Sequence, residues 1–274
     1  MKTALVTGAS SGIGAAIAER LLRDGYRVFA GARRTERMTQ LAADGAVVLP
    51  LDVTDDASMV AAVDAVASQS GGVDVLVNNA GYGSYGSLEE VPISEGRRQF
   101  EVNVFGLARL TQLVLPAMRE RRSGAIVNIS SMGGKIYEPF GSWYHAAKFA
   151  VEGMSDSLRL ELEPYGIRVI VIEPGGIRSD WASISRDNLL THSGNGPYAE
   201  YAQTHARVLA AGDTSWIVSP PEVVAATVSR ALKARRPRAR YASGGGARPI
   251  LFMRKLLSDR MFDRLLRLIF RSAR

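Results

Sequence analysis

Short apolar runs alternate with longer helical patterns along most of this chain of 274 residues, and this alternation strongly constrains the fold. The runs are rich in β-branched residues and occupy positions 3–7, 27–31, 46–51, 73–77, 125–130 and 168–172. Between them, apolar residues recur at helical spacing over 13–23, 34–43, 58–69, 96–119 and 145–164. Strands that alternate with helices predict an α/β fold with a doubly wound parallel sheet.

The pattern changes after Ile172, where residues 173–176 end the strand. Positions 177–220 show weak periodicity, a polar tip at 193–197 and scattered aromatic residues, so we expect an irregular substrate lid there. Positions 221–234 predict one more helix, and 238–242 predict a last strand. We therefore expect a single domain over residues 1–250, with 177–220 as its lid insert and 251–274 as a C-terminal extension.

The net charge of +7 is concentrated in that extension. From Ala231 onward there are 13 Lys or Arg and two Asp, a balance of +11, whereas residues 1–230 carry 21 basic and 25 acidic residues, a balance of −4. Positions 251–271 predict one basic amphipathic helix, with a cationic stripe opposite apolar residues. The stripe comprises Arg260, Arg264, Arg267 and Arg271, and the apolar set comprises Phe262, Leu265, Leu266 and Ile269.

Two interpretations of this helix remain open. It packs on its own domain or in an oligomer interface, or it attaches peripherally to an anionic membrane surface. Binding to nucleic acid is disfavoured, because the apolar face is not one on which bases stack.

The absence of cysteine excludes disulfides, thiolate metal sites and a cysteine nucleophile. No metal site is expected; His192 and His205 have no third ligand candidate nearby, which favours surface roles. The apolar strand pattern begins at once after Met1 and no apolar stretch approaches 18 residues, so we expect neither a signal peptide nor a transmembrane helix. A cytoplasmic protein is expected, with surface attachment to a membrane as the alternative.

A glycine-rich turn joins the first predicted strand to the first predicted helix. Its sequence is TGASSGIG (7–14), with glycine at 8, 12 and 14. Gly8 can make the tight turn without a Cβ penalty, Gly12 allows backbone to approach a pyrophosphate, and Gly14 allows helix and strand to pack. The free N–H groups and the dipole of the helix N-terminus favour phosphate, so this turn predicts a dinucleotide site.

The end of the second predicted strand bears on the choice of dinucleotide. An acidic residue there binds a ribose 2′-hydroxyl, whereas an arginine accommodates a 2′-phosphate. The chain has Arg33 and Arg34 and no acidic residue before Glu36. We therefore predict a preference for NADP(H), with NAD(H) as the alternative.

Tyr144 and Lys148 form a Y-x-x-x-K pair, and Ser131 precedes Tyr144 by thirteen residues. Residues at i and i+4 share one helix face, so Lys148 is placed beside the tyrosine. A nearby cation favours the phenolate and would lower a pKa that is ordinarily near 10. The pair by itself is also compatible with an exposed helix pair.

Seven motifs in order resemble those of the short-chain dehydrogenase/reductase family over about residues 1–180. They are TGASSGIG (7–14), LDV (51–53), NNAG (78–81), NVFG (103–106), ISS (129–131), YHAAK (144–148) and PGGI (174–177). The resemblance implies a Rossmann fold with the cofactor across the carboxyl ends of the strands. The stretch 139–162 resembles hydroxysteroid- and retinol-dehydrogenase-like members more than the reductases of fatty-acid synthesis.

The resemblance also implies residue roles. The expected catalytic residues are Asn103, Ser131, Tyr144 and Lys148, with Asn103 supporting a water that links Lys148 to solvent. Asn78 is expected to stabilise its strand. The expected cofactor-binding residues are Gly8, Ser10, Ser11, Gly12, Ile13, Gly14, Arg33, Arg34, Asp52, Val53, Asn79, Ala80, Gly81, Tyr144, Lys148, Pro174, Gly175, Ile177 and Ser179.

The implied reaction interconverts a carbonyl and an alcohol, with Tyr144 as general acid or base and Ser131 as a hydrogen-bond partner of the substrate oxygen. Clustered aromatic residues suggest a bulky apolar substrate, and they are equally compatible with a role in the core. The expected pocket residues are Ser131, Tyr144, Met132, Tyr137, Phe140 and Trp181, with Glu138, Trp143 and Trp216 as further candidates. A homo-oligomer is expected. The alternative function is a dinucleotide-binding sensor of the same fold that does no chemistry.

Overall fold

A seven-stranded parallel sheet forms the centre of the protein. The computed structural model describes residues 1–214 and 218–271. The sheet has the order β3-β2-β1-β4-β5-β6-β7, which confirms the predicted doubly wound fold. The strands are β1 Thr3–Thr7, β2 Arg27–Ala32, β3 Val47–Pro50, β4 Val75–Asn78, β5 Gly124–Ile129, β6 Ile167–Pro174 and β7 Arg240–Ser243.

Helices cover both faces of this sheet. They are α1 Gly12–Arg23, α2 Thr39–Ala43, α3 Asp56–Ser70, α4 Ile93–Phe100, α5 Gly106–Glu120, α6 Ser142–Leu162, α7 Trp181–Ser193, α8 Ala199–Thr214, α9 Glu222–Lys233, α10 Ala247–Leu256 and α11 Asp259–Arg271. Successive strand residues point to opposite faces, so Val6 packs in the core beneath α1 and α9 while Leu5 packs in the core beneath α3 and α5. Burial of both faces explains why the strands are apolar throughout.

The order of the strands reverses between β1 and β4. The chain moves outward from β1 through β2 to β3, then returns to the other side of β1 and continues through β4 to β7. Ligands of open α/β sheets bind in the crevice at the carboxyl ends of the strands, where the order reverses. The loops after β1 and β4 therefore define the expected cofactor crevice.

The structure differs from the sequence-based expectation in the segment 177–220. The expected irregular insert contains two well-formed helices, α7 and α8. They pack against each other and bury Leu189, Ala202 and Ala206. Their periodicity is weak in the sequence because aromatic side chains such as Tyr198 and Tyr201 supply part of the apolar contact.

The C-terminal extension also differs from the expectation, because it forms two helices instead of one. Leu257 is extended (φ −86°, ψ 137°) and ends α10, and α11 begins at Asp259. Phe262 and Phe270 of α11 are buried on the protein, whereas Ile269, expected on the apolar face, is 46% exposed. The interpretation in which the tail packs on its own domain is confirmed for this inner face of α11.

Candidate active site

The glycine turn connects β1 to α1 at the centre of the sheet. Gly8 (φ +66°) and Gly12 (φ +55°) adopt the left-handed conformation that side chains disfavour. A Cβ on Gly14 would lie 2.2 Å from the Gly8 carbonyl oxygen. Ser11 precedes α1 but makes no capping hydrogen bond with its side chain, so the first N–H groups of α1 lack that partner. This arrangement fits the pyrophosphate of a dinucleotide.

The hydroxyl of Thr7 ties the loop after β4 to the glycine turn. It accepts hydrogen bonds from the backbone N–H groups of Asn79 and Ala80, both at 2.9 Å. Asn79 Nδ2 in turn donates to the Thr7 carbonyl oxygen at 2.9 Å. The two loops that border the crevice are thereby fixed to each other. Sequence reasoning placed Thr7 in the motif without giving its hydroxyl a role.

Asn78 has the structural role expected of it. Its Nδ2 donates to Asn128 Oδ1 at 2.9 Å and to Thr111 Oγ1 at 3.1 Å, and Asn128 continues the network to Ser155. These buried amides connect β4 and β5 with α5 and α6. Asn78 therefore fixes the strand from which Asn79, Ala80 and Gly81 follow.

Arg33 and Arg34 are exposed directly after β2. Asp52, after β3, forms a local turn in which Thr54 donates from its N–H (3.0 Å) and its hydroxyl (2.8 Å). Burial would raise the pKa of Asp52, but the Thr54 hydrogen bonds, assisted by the charge of Arg33, lower it. The carboxylate of Asp52 is thus engaged by Thr54 within its own turn. Arg33 provides positive charge at this end of the crevice.

The loop after β6 closes the other side of the crevice. Pro174 ends β6, and a Cβ on Gly175 would lie 2.0 Å from the Gly245 carbonyl oxygen. A Cβ on Gly12 would lie 3.2 Å from Ser179 Cβ, so the β6 loop reaches the glycine turn. Ile177 pairs with Ser219 in an isolated bridge.

Ser131 and Tyr144 come together at the end of β5 and the start of α6. Ser131 Oγ accepts a hydrogen bond from Gly133 N at 3.0 Å. Burial raises the pKa of Tyr144 to about 12, although its hydrogen bond with Ser131 acts in the opposite direction. The hydroxyl of the preceding residue, Ser130, lies beside Gly134, 2.8 Å from the position of a Cβ there.

Lys148 lies one helical turn after Tyr144 and is buried. Its Nζ donates to the Ile129 carbonyl oxygen at 2.9 Å. Burial lowers the pKa of Lys148 to about 8, and the charge of Glu152 opposes this. The expected depression of the Tyr144 pKa is not seen, because desolvation of the enclosed phenol outweighs the stabilisation of its charged form.

Asn103 lies in a turn of π-helix, Glu101–Phe105, that interrupts the long helix predicted over 96–119. Its Oδ1 accepts from Tyr82 N at 3.1 Å and its Nδ2 donates to the Tyr82 carbonyl oxygen at 2.9 Å. Both ends of the amide thus hold the loop after β4. π-helical turns are frequent at functional sites. The sequence predicted a helix here but not its local widening. The expected water link to Lys148 stays a prediction.

His145 fixes the segment between Ser131 and Tyr144. Its Nε2 accepts from Glu138 N at 3.2 Å, so the proton lies on Nδ1, which donates to the Gly133 carbonyl oxygen at 2.9 Å. His145 thereby connects the backbone at Gly133 with that at Glu138. The sequence showed only that it lies on a different helix face from Tyr144.

An aromatic cluster surrounds Tyr144. The ring centroid of Tyr144 lies 5.9 Å from that of Tyr85 and 5.2 Å from that of Trp181. Phe140, predicted for the pocket, packs in the same cluster. Met132, also predicted, begins the short turn after Ser131. Tyr85, which sequence reasoning missed, is fully buried at the centre of this cluster.

Two of the predicted pocket residues lie elsewhere. Tyr137 faces α11, where its hydroxyl donates to Asp263 Oδ1 at 2.9 Å and its ring packs on Phe262. Trp143, on α6, packs against Phe100 of α4. Both side chains pack among other aromatic residues. From sequence alone, an aromatic residue of the core cannot be distinguished from one that lines a pocket. Trp216 lies outside the described residues.

His205 was expected at the surface, but it is 1% exposed. Its ring stacks on Phe270 of α11 with centroids 4.7 Å apart, and it lies 6.1 Å from the ring of Tyr85. The expectation was wrong because α8 was not predicted as a packed helix. Burial lowers the pKa of His205.

A cavity of about 510 Å³ lies on the outer side of Phe140. Its other walls are Ser87, Leu88, Glu89, Pro139, Tyr198 and Tyr201. A volume of this size accommodates a small organic molecule. The cavity shares Phe140 with the aromatic cluster around Tyr144.

Comparisons with known proteins agree with this arrangement. Residues 2–189 match the family model described as short chain dehydrogenase. The chain is 36% identical to an NADPH-dependent 3-dehydrocapnine reductase of Ornithobacterium rhinotracheale, over 97% of this chain and 96% of the relative.

Solved structures give the same result. A short-chain dehydrogenase from Streptomyces avermitilis superposes with a TM-score of 0.82 at 38% identity, covering 99% of this chain and 97% of that protein. A short-chain dehydrogenase/reductase from Burkholderia phymatum in complex with NAD superposes with a TM-score of 0.80 at 27% identity, covering 93% and 92%.

Proposed function

The chain belongs to the short-chain dehydrogenase family, and on that basis we propose that it reduces a bulky apolar ketone or aldehyde with NADP(H), using Tyr144 as the proton donor. The observation that carries the proposal is the position of the Ser131 hydroxyl beside Tyr144, close enough to act against the rise of its pKa, with Lys148 one turn further along α6. We propose that the cofactor crevice runs from the glycine turn to this pair. The oxidoreductase activity of the family includes both the reduction of a carbonyl and the reverse oxidation of an alcohol.

The glycine turn suits a dinucleotide, because Gly8 and Gly12 adopt positive φ and the first N–H groups of α1 receive no side-chain cap from Ser11. We propose that the turn from Gly8 to Gly14 holds the pyrophosphate, that Asn79 to Gly81 border it, and that the β6 loop borders the nicotinamide. When bound, the nicotinamide supplies or accepts the hydride.

The residues of the chain manage the substrate oxygen and its proton. Tyr144 is protonated at neutral pH, since its pKa is about 12, and it therefore has a proton to donate to the oxygen. The Ser131 hydroxyl, already close to the phenol, donates a hydrogen bond to the same oxygen as negative charge develops. Lys148 provides a buried amine one turn away, suited to hold ribose hydroxyls. The surrounding aromatic rings exclude water.

We expect Arg33→Ala to weaken NADPH binding by roughly 10- to 100-fold, the scale of a lost hydrogen bond to a charged group, and NADH binding by less than about threefold. The reason is that Arg33 is the exposed cation immediately after β2, where a 2′-phosphate would lie. Titration of both cofactors measures the effect. Arg23→Ala, an exposed arginine at the end of α1, is the matched control. Equal losses for NADPH and NADH would remove Arg33 from this role.

The alternative function, a dinucleotide-binding sensor without catalysis, is distinguished by one assay. Ketones, aldehydes and steroid or retinoid carbonyls are offered with NADPH and with NADH, and cofactor absorbance is followed. We expect NADPH-dependent turnover of at least one carbonyl. Tight NADPH binding with no turnover of any would favour the sensor.

We further propose that α10 and α11 attach the protein peripherally to an anionic membrane surface. Phe252, Leu256 and Leu268 are 63%, 66% and 66% exposed, and exposed cations such as Arg260 and Arg264 lie beside them. Apolar side chains that insert between headgroups, flanked by cations, are typical of such helices. Within the described ranges 1–214 and 218–271, no helix is long and apolar enough to cross a bilayer.

Sedimentation with vesicles tests the membrane proposal. The full chain is expected to pellet with phosphatidylserine-containing vesicles and much less with neutral ones. The double variant Leu256→Glu, Leu268→Glu should stay in the supernatant, because it places negative charge on the exposed face. Retained NADPH binding controls for folding. Wild-type protein that pellets equally with and without anionic vesicles would end the proposal. The expected homo-oligomer stays a prediction.

A further inference from the structure

A second cavity, of about 320 Å³, lies between α10 and the turn that follows β5. The described residues that line it are Lys135, Glu173, Leu251, Arg254 and Lys255, and three of them are basic. Lys135 ends the turn after β5, Glu173 belongs to β6, and the others lie on α10. None of these residues belongs to the proposed catalytic or cofactor-binding set, so the cavity is separate from that site.

Arg254 is held at the wall of this cavity by several contacts. Its Nη2 donates to Asp259 Oδ1 at 2.7 Å. Its guanidinium carbon lies 5.8 Å from the ring centroid of Tyr137 and 5.4 Å from that of Phe262. The side chain of Asp259 is 78% exposed, so water screens the attraction between the two charges. Arg254 is thus a positioned cation whose charge is only partly compensated.

The two lysines bring further donors to the cavity. Lys135 Nζ lies 3.2 Å from Glu152 Oε2, and this contact engages one of the three N–H groups of the ammonium. Lys255 is exposed and, within residues 1–214 and 218–271, forms no ion pair. N–H donors and positive charge therefore reach the cavity from both the turn after β5 and α10.

Glu173 is the acidic group of the cavity and is 5% exposed. The charged groups around it come from four segments: Glu152 and Asp156 of α6, Arg240 of β7, Lys135 of the turn after β5, and Arg254 and Lys255 of α10. Burial raises the pKa of Glu173 to about 7; the charge of Glu152 acts in the same direction, and that of Arg240 opposes it. The carboxyl group therefore takes up a proton as the pH falls through about 7, and the cavity then loses its acidic charge.

We propose that this cavity binds the phosphate group of a phosphate ester, with Lys135, Arg254 and Lys255 as its cationic partners. Lysine and arginine are the usual partners of phosphate in proteins, and the volume suits a small group. Protonated Glu173 donates a hydrogen bond to a phosphate oxygen, whereas the ionised carboxylate repels it. Affinity for the ester therefore rises as the pH falls through about 7.

The phosphate ester has two possible sources. Phe252 and Leu256, neighbours of Lys255 on α10, are 63% and 66% exposed, so a bilayer that receives them brings lipid phosphate to the cavity. A soluble phosphate ester reaches the cavity directly from solution. The inference concerns binding alone and does not depend on the proposed carbonyl reduction.

Titration with dimethyl phosphate, followed by the NMR shifts of backbone amides, tests the site in solution. This phosphodiester keeps one negative charge at neutral pH, so a pH dependence of its binding originates in the protein. Saturable shifts are expected at Lys135, Glu173 and α10; shifts of residues 8–14 report separate binding at the glycine turn. Affinity at the cavity should rise about threefold or more from about pH 8 to about pH 6, the scale of one unit charge at a solvated contact.

Three variants identify the residues responsible. Glu173→Gln keeps the shape without the charge, so at about pH 8 it should bind dimethyl phosphate about threefold or more tightly than the wild type, with little dependence on pH. Lys255→Gln should bind about three- to fivefold more weakly, near the upper end for an exposed pair of charges. Lys2→Gln, an exposed lysine just before β1, is the matched charge control and should bind as the wild type does. Thermal denaturation of each variant controls for folding.

Vesicle sedimentation at about pH 8 identifies the source of the phosphate. Stronger pelleting of Glu173→Gln than of Lys2→Gln with phosphatidylglycerol vesicles would assign a lipid headgroup; equal pelleting, with dimethyl phosphate still bound in solution, would assign a soluble ester. Both results support the site.

Two results in solution would overturn the inference. One is the absence of saturable shifts at the cavity, and the other is an affinity that neither Glu173→Gln nor Lys255→Gln changes. Because the titration contains neither cofactor nor ketone, its failure is distinct from a failure of the proposed carbonyl reduction.

Discussion

Replacement of Tyr144 with Phe is expected to lower kcat by at least ~10²-fold while NADPH binding is retained, the usual scale for loss of a general acid. The variant removes the hydroxyl that hydrogen-bonds Ser131 and keeps the ring that packs against Tyr85 and Trp181. The fold should therefore be preserved. Steady-state turnover with a reducible ketone and titration with NADPH measure the two quantities.

Tyr165→Phe is the matched control for this variant. Tyr165 is 38% exposed and lies beyond the end of α6, remote in the chain from Tyr144. The turnover of the Tyr165→Phe variant should therefore equal that of the wild type. Turnover of Tyr144→Phe near the wild-type value would show that another group protonates the substrate oxygen. A simultaneous loss of NADPH binding would instead indicate that the ring environment had collapsed.

Replacement of Gly14 with Ala is expected to destabilise the protein by ~1–3 kcal/mol, the usual cost of overpacking, and to weaken NADPH binding. The added Cβ would lie 2.2 Å from the Gly8 carbonyl oxygen and 2.5 Å from Asn79 Nδ2. Relief requires movement of the turn away from the loop after β4, and this separates the two walls of the crevice. Chemical denaturation and NADPH titration measure the effects.

Gly153→Ala provides the comparison. Gly153 is exposed within α6, and its added Cβ would meet no atom within 4 Å. Because alanine is favoured over glycine in a helix, this variant should be more stable by up to ~1 kcal/mol, with unchanged NADPH affinity. If Gly14→Ala behaved like Gly153→Ala, close packing at Gly14 would not define the cofactor crevice.

The sheet and the glycine turn could be predicted from the sequence because their signals are local. Apolar runs without polar alternation indicated strands covered on both faces, and the structure places those strands in one parallel sheet. Glycine at positions 8, 12 and 14 indicated a close approach of backbone, and the Cβ positions on Gly8 and Gly14 confirm it.

The substrate side could be predicted less well, because its geometry depends on long-range packing. Tyr137 lies seven residues before Tyr144 in the chain, yet it faces α11 through Asp263. His205 is buried because the ring of Phe270 in α11 stacks on it and the rings of Tyr85 and Phe140 lie beside it, contacts between segments that are distant in the chain. The π-turn at Asn103 likewise depends on its two hydrogen bonds to Tyr82, a residue of another loop.

Transfer of deuterium from cofactor to product tests the central claim most directly. The enzyme reduces a ketone with NADPH that carries deuterium at both C4 positions of the nicotinamide, and the alcohol is analysed by mass spectrometry and NMR. Our account predicts one deuterium on the carbinol carbon of the product and none in the alcohol formed with unlabelled NADPH. An alcohol without deuterium on that carbon would contradict it.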